Sequence, residues 1–283
     1  MRERAIPFAS TTCLNGHSYV ETLDAYEDAG LERVELGYCP DTLDMNEIVT
    51  SYDFEFAAHN YFRPLDDDFV LNLASRDESI RQRSVSYVCN GIDFCDKHGI
   101  DLYTFHAGFR ADPNLSLEFP CEVALYDRCF DLFVRSLREV AEYARDTDVE
   151  LAVENNVVTE ENVIEDEPLV LLCEPGECKR LFDSIDPEEI GILLDTGHLN
   201  VSAATRGYDP ATFVEESAPY LKAFHLHTNN GESDQHRPIT PDDSTLDIYQ
   251  QFPDVVASVE AKFDHASELA AHLDTLVKSY PTA

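Results

Sequence analysis

The stretch EIGILLDTGHLN, residues 189–200, reads as a short apolar strand that stops at a carboxylate, Asp195, with an imidazole, His198, three residues on. Its flanks repeat that grammar. Short β-rich runs alternate with helix-period segments along the chain, and the alternation occurs eight times. The predicted strands are Ile6–Thr12, Arg33–Leu36, Glu55–His59, Leu102–His106, Glu150–Glu154, Gly191–Asp195, Leu221–His227 and Asp254–Glu260. Helical periodicity marks Tyr19–Ala29, Ser79–His98, Tyr126–Arg145, Pro210–Ser217 and Ser267–Ser279. Helix-stop or turn signals (AGLE, KHGID, RDTD) precede the second, fourth and fifth strands. Strands separated by helices must run parallel, and eight such units fit closure better than an open sheet. The expectation is an α/β fold, a single (β/α)8 TIM barrel over residues 1–283, with no linker or composition shift dividing it. Three long irregular stretches, Gly108–Val123, Asn155–Pro175 and Thr228–Leu246, each follow a strand. In a barrel, loops in that position build the active-site face.

Six consecutive strands end in groups that bind metals. The third ends in His59 (FAAHNYF), the fourth in His106 (YTFHAGF) and the fifth in Glu154 (LAVENN). The sixth ends in Asp195, with His198 beginning the loop; the seventh carries His225 and His227 (FHLHTNN), followed by Asp234 and His236 in SDQH; the eighth ends in Glu260. A lone histidine at a strand end is ordinarily a hydrogen-bonding structural residue, and Glu260 alone could be a salt-bridge partner. Together, at one mouth, they require a common cation, because buried unpaired carboxylates cost several kcal/mol each. Imidazole and carboxylate donors suit Mn²⁺, Co²⁺, Mg²⁺ or Zn²⁺. The seventh strand is read as turning only one of His225 and His227 inward. His17 and His98 read as surface or loop residues. Arg63, Arg110, Arg206 and Arg237 lie near strand ends and could hold a phosphate bidentately, although balancing acidic neighbours is the plainer role for each.

Bulk properties narrow the class. The 283 residues are 43% hydrophobic, enough for a large core, and no apolar run approaches the ~20 residues of a membrane span. The N-terminal MRERAIPFAS has no apolar segment of signal-peptide length behind its arginines, so a soluble cytoplasmic protein is expected. Against 56 acidic residues stand 20 basic ones, a net charge of −36, and only five of the basic residues are lysine. Acidic residues spread through every helix, with scarce lysine and no tryptophan, point to a halophilic, salt-screened surface more than to a basic partner. Such a field repels nucleic acid at low salt; in molar salt that objection weakens. The eight cysteines, at 13, 39, 89, 95, 121, 129, 173 and 178, form no CxxC pair and read as free thiols of a reducing compartment, mostly structural.

HNYF (59–62), LNLAS (71–75), FHAG (105–108), VEN (153–155), LLDTGH (193–198), HLHTNN (225–230), SDQH (233–236) and SVE (258–260) together resemble the xylose-isomerase-like barrel superfamily. The likeness spans nearly the whole chain. That superfamily contains sugar and sugar-phosphate isomerases and epimerases, and also endonuclease IV. The tagatose-epimerase-like branch implies one divalent ion on Glu154, Asp195, His227 and Glu260, with His227 taken over His225 because the family's HxH strand usually uses its second histidine. His198 would then contact substrate, as would His59, His106 and Arg237. The implied reaction is proton transfer through a metal-stabilised enediolate, with Glu154 and Glu260 flanking the substrate as acid and base.

The endonuclease IV branch implies three zinc ions, and the nine donor types have counterparts in His59, His106, Glu154, Asp195, His198, His227, Asp234, His236 and Glu260. The segments LNLASRDESIRQRS and YTFHAGF also resemble that branch, which would attack a phosphodiester beside an abasic site. Two departures weigh against it. NNVVTEENVIEDEP (155–168) has no glycine where a Gly-rich segment is expected, and RPITPDDSTLD (237–247) lacks the Gly-rich turn. The sugar isomerase or epimerase is therefore the preferred expectation and the abasic-site endonuclease the alternative. A catalytically silent sugar-binding barrel is a second alternative, disfavoured because a binder has no need of two opposed bases. Small-molecule substrates are expected, with nucleic acid a partner only under the endonuclease reading; no motif reports the oligomeric state.

Overall fold

The protein is described by a computed structural model covering residues 6–40, 43–63, 69–119 and 122–279. Cys121 lies outside the described residues. Eight strands form the barrel: β1 Phe8–Ser10, β2 Arg33–Leu36, β3 Glu55–His59, β4 Leu102–His106, β5 Glu150–Glu154, β6 Gly191–Asp195, β7 Leu221–Leu226 and β8 Val256–Val259. Neighbours in sequence pair in parallel around the ring. It closes where Phe8 and Ala9 of β1 stand opposite Ser258 and Val259 of β8. This is a (β/α)8 TIM barrel, as the eightfold alternation predicts.

Period-two alternation sorts each strand into an outward row against the helices and an inward row. Inward, Phe8, Ala57, Leu102, Ala152, Leu193 and Ala223 pack together as an apolar floor. Two residues further along the same strands come Ser10, His59, Thr104, Glu154, Asp195 and His225, every one polar. The chemistry therefore stands directly on the floor, one layer up towards the carboxyl ends of the strands. Outward, residues such as Val34, Leu36, Phe105, Val153, Leu194 and Leu226 join the core beneath the helices.

The helices are α1 Tyr19–Asp28, α2 Met45–Ser51, α3 Glu78–His98, α4 Tyr126–Ala144, α5 Glu177–Phe182, α6 Thr196–Arg206, α7 Pro210–Ser217, α8 Ser244–Gln250 and α9 Ala266–Lys278. Most start on a side-chain cap: Ser18, Asp44, Asp77, Asp195, Asp209 and Asp243 each accept a backbone N–H of the first turn. The predicted β1, β7 and β8 are shorter in the structure, and His227 falls just beyond β7. Of the irregular stretches, residues 155–175 contain a turn of 3₁₀ helix, Glu160–Asn162, and a two-stranded hairpin, Val163–Ile164 with Glu167–Pro168. The third stretch ends early because α8 begins at Ser244 on its Asp243 cap.

His198 corrects the expectation of a loop after Asp195. It lies in the first turn of α6, because the Asp195 carboxylate caps that helix by accepting the His198 N–H at 2.7 Å. Strand passes to helix with no intervening loop. His98 likewise belongs to the last turn of α3 rather than a loop, while His17 is exposed as expected. Cys95 and Cys129 are buried helical thiols, Cys89 is half-buried, and the seven described cysteines are all free.

Candidate functional site

Glu154, 2% exposed at the end of β5, is the hub. On one side are the strand ends of β3 and β4. His106 Nε2 lies 3.0 Å and His59 Nε2 3.6 Å from Glu154 Oε2, and the two imidazoles are 3.1 Å apart. Thr104 fixes the His59 ring through Nδ1 at 2.9 Å, and Asn60 accepts the His106 N–H at 2.6 Å. On the other side His225 Nδ1 is 3.3 Å from Glu154, 3.4 Å from Glu260 and 3.8 Å from Asp195. Behind the same ring, His225 Nε2 meets Glu35 of β2 at 3.2 Å.

A second tier sits over α6. His227 Nε2 and Asp195 Oδ2 are 2.9 Å apart, and His198 reaches Glu154 at 3.5 Å and Asp234 at 3.4 Å. The loop after β7 folds back because Thr228 and Arg237 exchange backbone hydrogen bonds of 2.8 Å. That turn drops Asp234 and His236 over the mouth, with His236 2.9 Å from Asp234 and its ring stacked on His227 at 4.1 Å. His236 takes a left-handed φ of 48°, a strained backbone for a non-glycine residue of the kind that collects at functional sites. Asn155 ties β5 to β6, accepting the Asp195 N–H at 2.7 Å and donating to the Asp195 carbonyl at 3.1 Å. Gly197 admits the His227 ring, since a Cβ there would stand 1.9 Å from its Cε1.

Electrostatics follow from burying acids and imidazoles together. Burial pushes Glu154 up, but His106 and His59 outweigh it and hold the carboxyl well below its usual range. Burial likewise opposes ionisation of Glu260, which His225, His59 and His236 nevertheless lower to about 2. Asp234 is held low in the same way by His198 and His236. Burial depresses His59 to about 3 despite the proximity of Glu154. His198 and His225 resist burial and are raised, His198 chiefly by Asp195 and Asp234, His225 by Glu260 and Glu35.

Among the described residues, donor atoms converge within 4.8 Å in five overlapping groups: His59/His106/Glu154, Glu154/Asp195/His225, Glu35/His225/Glu260, Asp195/His198/His227 and His227/Asp234/His236. Besides Glu35 Oε1, four atoms of these groups, Glu154 Oε2, His225 Nδ1, His227 Nδ1 and Asp234 Oδ1, are buried without a hydrogen-bond partner. Buried polar atoms are nearly always paired, so four orphans aimed at one mouth fit a divalent cation.

All nine donors singled out in the sequence come together here. Glu35 is not among them. The expectation that only one of His225 and His227 turns inward is corrected. Residues two apart on a strand share a face, and both rings reach the site. The inward parity of β2 was the signal for Glu35. The arginines divide differently. Arg110 is buried and holds Glu167 and two backbone carbonyls, and Arg206 holds Glu174 and Asp166. Arg63 donates to the Asn90 carbonyl. Arg237 is exposed beside the loop that carries His236.

An eight-stranded parallel barrel whose mouth gathers imidazoles and carboxylates defines a TIM-barrel protein with candidate metal-binding clusters at the carboxyl ends of its strands. Residues 19–257 match the profile of the xylose isomerase-like TIM barrel, and the chain belongs to that family. Two uncharacterized proteins of Methanocaldococcus jannaschii are 26% and 24% identical over 196 and 193 residues, which is 68% and 67% of this chain. Those matches span 58% and 62% of the relatives' own length. A probable endonuclease 4 of Aquifex aeolicus is 45% identical over 40 residues, 14% of either chain. Among solved structures, a D-tagatose 3-epimerase-like protein superposes with a TM-score of 0.70 at 19% identity, over 97% of this chain and 98% of that one. A Methylomonas D-allulose 3-epimerase in complex with D-allulose gives 0.69 at 12%, over 99% and 98%. A Thermus thermophilus protein soaked with zinc chloride gives 0.64 at 19%, over 98% and 100%. At these identities the structures share the fold.

Proposed function

We propose that the chain is a divalent-metal-dependent enzyme that isomerises or epimerises a sugar or sugar phosphate. One observation carries the reading: Glu154 and Glu260, on strands separated by two others, approach the same nitrogen of His225 at 3.3 and 3.4 Å. Two buried carboxylates facing one point can remove a carbon-bound proton on one side of a substrate and return it on the other. Glu154, Asp195 and Glu260 would hold the ion with a histidine of the β7 end. The sequence reading assigns His227, and the distances to all three carboxylates favour His225. A bound Mn²⁺, Co²⁺, Mg²⁺ or Zn²⁺ supplies Lewis acidity at the substrate's carbonyl and hydroxyl oxygens. His198, His59 and His106 line the approach and can donate to substrate hydroxyls, with Arg237 at the rim. The proposal takes residues 1–283 as one domain acting in the cytoplasm on a small molecule.

A second reading, hydrolysis of a phosphodiester in DNA, is favoured by the number of donor groups. Besides the Glu154/Asp195/His225 set, His59/His106/Glu154 and His227/Asp234/His236 could each take an ion. Metal content, measured on protein purified in high salt without chelator, separates the two. About one exchangeable ion per chain, with solvent deuterium entering a ketose or its phosphate and lost in Glu154→Gln and Glu260→Gln, supports the isomerase. About three zinc ions, nicking of abasic DNA and inactivation by His59→Ala support the hydrolase. A chain that takes up no metal on reloading refutes both.

A further inference from the structure

Among the described residues of the barrel strands, one buried carboxylate is used by neither reading. Glu35, 1% exposed at mid-strand in β2, lies on the far side of the His225 ring from Glu154, Asp195 and Glu260. A carboxylate so deep costs several kcal/mol unless it is bonded, and among the described residues it has two side-chain partners. Ser258 donates to its Oε2 at 2.7 Å and His225 Nε2 lies 3.2 Å from the same oxygen, while Oε1 has none. An ionised carboxylate only accepts, so in the neutral ring, the form that can bind a cation, this contact places the proton on Nε2. The lone pair is then left on Nδ1, the buried nitrogen that has no hydrogen-bond partner and faces the three acids.

We infer that Glu35 is a positioning residue that fixes the tautomer and direction of His225, so that His225 presents Nδ1 to a divalent cation held by Glu154, Asp195 and Glu260. The inference rests on the metal-dependent reading above. Imidazole ligands are commonly oriented by a carboxylate on their other nitrogen, and losing that partner weakens metal binding about 10–100-fold. Ser258, from the strand after His225, holds Glu35 in turn, so β2, β7 and β8 are joined through one ring.

The test is titration of the metal-stripped full-length chain with Co²⁺, followed by visible absorption and by competition with a chelator of known affinity. Wild type, Glu35→Gln and Ser258→Ala are compared, with circular dichroism and thermal melting of the apo-proteins alongside. Glu35→Gln is expected to keep the wild-type stoichiometry, bind about 10–100-fold more weakly and shift the Co²⁺ absorption bands. Ser258→Ala leaves both Glu35 and His225 in place and is expected to weaken binding in the same direction and by less, so it carries the test if Glu35→Gln does not fold. Wild-type affinity and spectrum in a folded Glu35→Gln, or in Ser258→Ala, overturn the inference and leave the metal reading intact. Loss of one whole equivalent of Co²⁺ makes Glu35 a ligand and overturns the positioning role. A wild type that binds no Co²⁺ overturns the inference together with the reading beneath it.

Discussion

Substituting Gly197 with alanine should damage the site without removing any of its donors. An added Cβ would stand 1.9 Å from His227 Cε1 and 2.3 Å from Nδ1, where ordinary contact begins at 3.4 Å. The ring must retreat by about 1.5 Å, the difference between those limits, and the 2.9 Å bond from Nε2 to Asp195 cannot survive that displacement. Losing a hydrogen bond to a charged group costs about 1.5–3 kcal/mol, and overpacking adds about 1–3. Alanine's better helix propensity returns up to about 1 kcal/mol at this position in α6. The net loss, about 2–5 kcal/mol, corresponds to a fall of about 3–8 °C in Tm for a chain of this size. Differential scanning calorimetry of four proteins checks it: wild type, Gly197→Ala, His227→Ala and the double variant. If the clash is the cause, adding Gly197→Ala to His227→Ala should cost less than about 1 kcal/mol. A Gly197→Ala protein melting within 1–2 °C of wild type, or a full additional loss in the double variant, refutes the reasoning.

Elsewhere, Glu177→Ala should destabilise the fold by about 3–5 kcal/mol, read by urea denaturation, because its carboxylate accepts the N–H groups of Leu172, Cys173 and Glu174 and the Tyr126 hydroxyl. Glu177→Gln should lose less, since its amide oxygen can keep part of that set. Loading the chelator-treated chain with Mn²⁺ or Zn²⁺ at about a hundred times its Kd should stabilise it by about 2.7 kcal/mol, and an unchanged melting curve would count against the metal site. With a net charge of −36, raising KCl from 0.1 to about 2 M should increase Tm, because the Debye length falls from about 10 Å to below 3 Å. A melting temperature that falls over that range would contradict a salt-screened surface.

The sequence showed the barrel more fully than the site. Strands β2 to β6 fall on their predicted residues, β3 to β6 because each is a compact, largely apolar run that stops at a polar end. Short helices were harder to see: α2, α5 and α8 have six or seven residues, too few for the 3.6-residue period to repeat convincingly. At α6 the obstacle was different, for Asp195 serves as both strand end and helix cap, and one residue cannot announce two boundaries. The nine predicted donors were visible because eight stand at a strand end or in the loop after β7, and His198 follows three residues behind the strand-end Asp195. Glu35 was not, since it acts from inside a strand, where a charged residue reads as an ordinary solvent-facing position until the barrel's inner face is known; His225 was seen but set aside for His227 on the expectation that only one of the two turns inward.

Because the groups around His225 come from β2, β5, β6, β7 and β8, its surroundings belong to no fragment of the chain. Glu35 is among the first residues of the barrel to be made, and Glu260, which shares the cavity with it, lies 225 positions later. Until β8 has docked against β1, the surround of His225 lacks Glu260 and Ser258, so it is complete only in the closed ring.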